Sequence, residues 1–117
     1  MISLESLREP GATHFSANRF ASVLDMQLED LARFARVHPD VLRLRPESAE
    51  VQRALHDIAR ILEMITEVEP DVARVVFHLK STPLATFGQQ TLLEVLQAGR
   101  VDDAIAYLES VLYGAAG

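Results

Sequence analysis

Residues 48–66 read SAEVQRALHDIARILEMIT, with Val51, Leu55, Ile58, Leu62 and Ile65 falling three or four positions apart. That spacing puts all five on one face of a helix with 3.6 residues per turn. Ser48 stands where its hydroxyl can cap the first turn. Pro46 closes what comes before, because the residue preceding a proline avoids the helical region.

Outward from this segment the same spacing returns. Phe20, Val23 and Leu24 form one short apolar set, and Leu28, Leu31, Ala32 and Ala35 form another. Val72, Val75, Val76 and Leu79 follow on the C-terminal side, then Val101, Ala104, Ile105, Leu108, Val111 and Leu112. No segment alternates apolar and polar residues long enough to predict a strand. Punctuation agrees with the helices. Pro39 fits a first helical turn through Val41–Arg43, Pro70-Asp71 restarts helix, Thr91 can cap a short one, and Gly99 and Gly114 can end two others. Asp102 and Asp103 suit the positive end of the last helix dipole. Ser81–Gln90, STPLATFGQQ, reads as a loop whose apolar Leu84 and Phe87 either tuck beneath it or anchor a partner. The expected fold is all-α, a compact single domain of about seven helices. Its expected organisation is a flexible N-terminus at 1–14, a helix-turn-helix-like subregion at 15–47 and a helical subregion at 48–117.

Composition narrows the function. The chain has 117 residues, 49% of them hydrophobic, which suffices for a core, and it has no Cys. A disulfide scaffold, a Cys-ligated zinc site and a Cys nucleophile are excluded. Lys and Arg number 11 against 17 acidic residues, a net charge of −6, which opposes general coating of nucleic acid. The imbalance is regional: residues 1–60 carry eight bases and nine acids (−1), and residues 61–117 carry three and eight (−5). The start, MISLESLREPG, is acidic where a secretory signal is basic and then apolar. No apolar run approaches the roughly 18 residues of a membrane span. The expected location is the cytoplasm.

Two helical segments meet at Val37–His38 with helix-turn-helix spacing. Arg33, Arg36, Arg43 and Arg45 stand there against Asp40 alone over residues 33–45. With His38 they are the candidate DNA-contacting residues, the arginines as phosphate contacts. A helical hairpin that merely packs is the other reading. The histidines lack metal-ligand spacing, and His78, beside an apolar stripe, reads as a packing or hydrogen-bonding residue. No nucleophile elbow or phosphate-cradling loop is present. The expectation is a protein without catalytic residues, metal or cofactor.

An ordered series of residues then points to a family. Pro83-Leu84, Phe87-Gly88, Thr91, Leu93-Glu94, Gly99-Arg100, Asp103, Tyr107-Leu108-Glu109-Ser110 and Gly114 resemble the toxin-binding domain of Xre/MbcA/ParS antitoxins. Arg36-Val37-His38, Leu42, Pro46, Ser48, Val51-Gln52, Leu55 and Ile61-Leu62 extend the resemblance over residues 20–117. It implies a dimeric antitoxin that covers the active site of a RES-domain, NAD-degrading toxin. Its N-terminal helix-turn-helix, sometimes degenerate, can bind operator DNA. The alternative is a helix-turn-helix transcriptional regulator with no toxin partner. The toxin-facing positions implied are Leu84, Phe87, Gly99, Arg100, Tyr107, Tyr113, Gly114 and the tail to Gly117. Arg100 is the one expected to pair with a toxin carboxylate. The sequence departs from the pattern at Val76-Phe77-His78-Leu79, where a Trp is usual. It departs again at Gln89, where a second Gly is usual, and at Pro39-Asp40, where basic or hydrogen-bonding residues are usual.

Overall fold

The computed structural model describes residues 3–114. The fold is all-α: the described residues form seven α-helices and two short 3-10 turns. Among the described residues no strand forms, only isolated antiparallel bridges between Arg8 and Phe15 and between Leu84 and Gln90. The helices are α1 (Ala17–Val23), α2 (Leu28–Ala35), α3 (Pro39–Leu44), α4 (Ala49–Thr66), α5 (Val72–Ser81), α6 (Leu92–Gln97) and α7 (Val101–Tyr113). The chain divides into two units within α4, after Arg60.

The first unit, residues 3–60, buries Phe15, Phe20, Leu24, Leu31, Leu42, Val51, Leu55 and Ile58. Phe15 and Phe20 meet edge to face with centroids 5.4 Å apart. The stretch read above as a flexible N-terminus contains, from Leu4 to Leu7, a 3-10 turn with Leu7 fully buried. Ser16 N–H donates to the Leu7 carbonyl at 2.8 Å, and the Arg8 guanidinium lies 4.6 Å from the centre of the Phe15 ring and donates to the Thr13 carbonyl. Gln52 fastens this segment to α4. Its amide nitrogen donates to the carbonyls of Phe15 (3.0 Å) and Pro46 (2.8 Å), and its amide oxygen accepts the Phe15 N–H (2.8 Å). One side chain thus satisfies both backbone groups of Phe15, as a strand neighbour would.

Several helix starts follow local chemistry. Thr91 and Glu94 make a reciprocal capping box on α6, with Thr91 Oγ1 accepting the Glu94 N–H and Glu94 Oε1 accepting the Thr91 N–H. Asp71 caps α5 and Ser16 caps α1 through their side chains. Ser48 differs from the cap expected of it. Its carbonyl accepts the Gln52 N–H at 2.9 Å, so it occupies the cap position, but its hydroxyl is buried without a hydrogen-bond partner.

The second unit, residues 61–114, buries Ile61, Leu62, Val75, Val76, Leu79, Phe87, Leu92, Val95, Leu96, Ala104, Ile105 and Leu108. Thr66, also buried, turns its hydroxyl back to donate to the Leu62 carbonyl at 2.7 Å. At the end of α6 the Gly99 N–H donates to Leu96 and the Arg100 N–H to Val95, a Schellman turn with Gly99 left-handed at φ +79°.

Candidate functional site

The second unit carries an open groove of about 220 Å3, lined almost wholly by aliphatic side chains. The end of α4 contributes Ile65, and α5 contributes Val75 and Leu79. Leu84 comes from the following loop, Leu92 from α6, and Leu108 and Val111 from α7. Polar groups occur at Glu69, His78, Thr82 and Tyr107. Glu69 is held by Arg74 at 3.1 Å. His78 Nδ1 and Thr82 Oγ1 share a hydrogen bond at 2.8 Å, the hydrogen-bonding role expected of that histidine. The rest of the lining is apolar.

Val111 continues the helix's apolar stripe past Leu108 yet is 57% exposed, and Tyr113, outside the groove lining, is 56% exposed. Tyr113 donates its hydroxyl to Glu67 at 3.2 Å. Desolvation, the Glu67 charge and hydrogen bond, and the Glu109 charge together raise the phenol's pKa above its ordinary value.

The candidate toxin-facing residues sort by placement. Leu84 is half-buried in the groove wall, and Tyr107 also lines it. Phe87 is buried beneath its own loop, so of the two roles open to it, packing is the one it fills. It is sandwiched between Tyr107, 5.4 Å away between centroids, and the Arg100 guanidinium, 5.3 Å from the ring centre. Arg100 finds its carboxylate within the chain, donating from Nε to Asp103 at 2.9 Å. Gly99 is committed to the helix end, and Gly114 follows α7 at φ +81°. Gly117 lies outside the described residues. Gln89, standing for the usual Gly, has φ +71° next to Gly88 at +62°. The backbone there keeps the left-handed form that glycine adopts without steric cost.

In the first unit, α2 and α3 flank a turn in which Arg36 is left-handed at φ +56°. α3 has six residues, so it extends only about 9 Å. His38 caps it, Nδ1 accepting the Asp40 N–H at 3.1 Å, while the imidazole stays exposed. Arg33 pairs with Asp30 at 3.2 Å, and Arg43 pairs with both Asp40 (3.1 Å) and Glu29 (2.5 Å). Extending the basic window back to Glu29 and Asp30 leaves four arginines against three carboxylates, or +1. Arg36 and Arg45 are exposed.

The residues that sequence reasoning missed are Val111, read there only as part of a helical apolar set, and the groove's polar edge at Glu69 and Thr82. The available signal was the length of the α7 stripe, which runs further than a core of this size covers. Among the described residues no group of three or more His, Asp or Glu is placed to hold a metal ion, and no helix is long and apolar enough to cross a membrane. No family model, curated protein or solved structure matches the chain.

Proposed function

We propose that the protein is an antitoxin that works by covering another protein's active site. Its target is a RES-domain, NAD-degrading toxin, and its place of action is the cytoplasm. The observation that carries this reading is the open apolar groove in residues 61–114, within the 48–117 subregion that the family resemblance gives to the toxin. Such a surface suits protein capture and needs no chemistry of its own. The resemblance also supplies the dimer and operator binding. The candidate phosphate contacts for DNA are Arg33, Arg36, Arg43 and Arg45, all on the surface of the first unit.

The test is co-expression with the RES-domain toxin encoded by a neighbouring reading frame. Growth and cellular NAD should be restored by the full chain. Persistent NAD loss at equal toxin and antitoxin levels would overturn the reading. Occlusion by the tail is tested by deleting residues 114–117, which should weaken rescue with the melting temperature unchanged. A larger deletion from 107 would remove Leu108 from the core and confuse binding with folding.

A further inference from the structure

We draw no further inference here: the strongest candidate, the open aliphatic groove lined by α5, α6 and α7 in residues 61–114, carries nothing because nothing in the structure shows what covers it.

Discussion

Residues 3–60 spend their polar side chains on themselves, whereas residues 61–114 leave apolar surface and negative charge unanswered. In the first unit Gln52 satisfies three backbone groups, and Arg33 and Arg43 are matched by carboxylates of α2 and α3. Its exposed Leu44 is a single residue and needs no partner. In the second unit, Val68, Phe77, Val111 and Tyr113 are all more than half exposed, and one of them extends a formed groove. The contrast separates a unit with one exposed large hydrophobic side chain from a unit with four.

The largest expected effect sets two α7 neighbours apart. Leu108→Ala should cost about 2–5 kcal/mol in urea unfolding, as truncation of a buried leucine does. Val111→Ala, one turn further, should stay within about 0.5 kcal/mol of the parent, as exposed positions do. A similar loss at both would mean that the groove is part of the core and that the contrast between the units is false.

Gln52→Ala probes the closed unit. It orphans the N–H and C=O of Phe15 and one acceptor bond of Pro46, so a loss of about 2–3 kcal/mol is expected in the same assay. Amide exchange should accelerate at Phe15 and Ser16. A loss below about 0.5 kcal/mol would show that water replaces the amide and that this unit is no better closed than the other.

These two positions also show what was legible in the sequence. The five-residue stripe of α4 and the stripes of α2 and α5 announced helices, because a periodic face is a local property. Val111 belongs to such a face too, but periodicity states only that a face is apolar, and its cover depends on distant residues. The docking of Leu7 and Phe15 was hidden for the same reason: Gln52 acts across 37 positions of sequence, with no periodic mark. The Arg43–Glu29 and Arg33–Asp30 pairs were hidden because their carboxylates stand N-terminal to the arginine-rich stretch 33–45.

Caps give a smaller test. Thr91→Ala should cost about 1 kcal/mol, since it breaks a reciprocal capping box in the second unit. Ser48→Ala, at the equivalent position of α4, should be neutral or slightly stabilising, because the hydroxyl it removes is buried without a partner. Equal costs from matched thermal melts would show that Ser48 does cap in solution.

The smallest effect concerns a proton. Desolvation, Glu67 and Glu109 disfavour the Tyr113 phenolate, so its pKa is raised in the folded chain. A raised folded pKa contributes stability below the ordinary phenol value and loses it as the pH rises through the raised one. In ring-labelled protein, Tyr113 should therefore titrate above a tyrosine of the unfolded chain. Glu67→Gln keeps a possible hydrogen-bond acceptor but removes the charge, so the midpoint should fall without returning fully. An unmoved midpoint would mean that Glu67 exerts no field on the Tyr113 phenol, and the second unit's negative charge would be diffuse rather than placed.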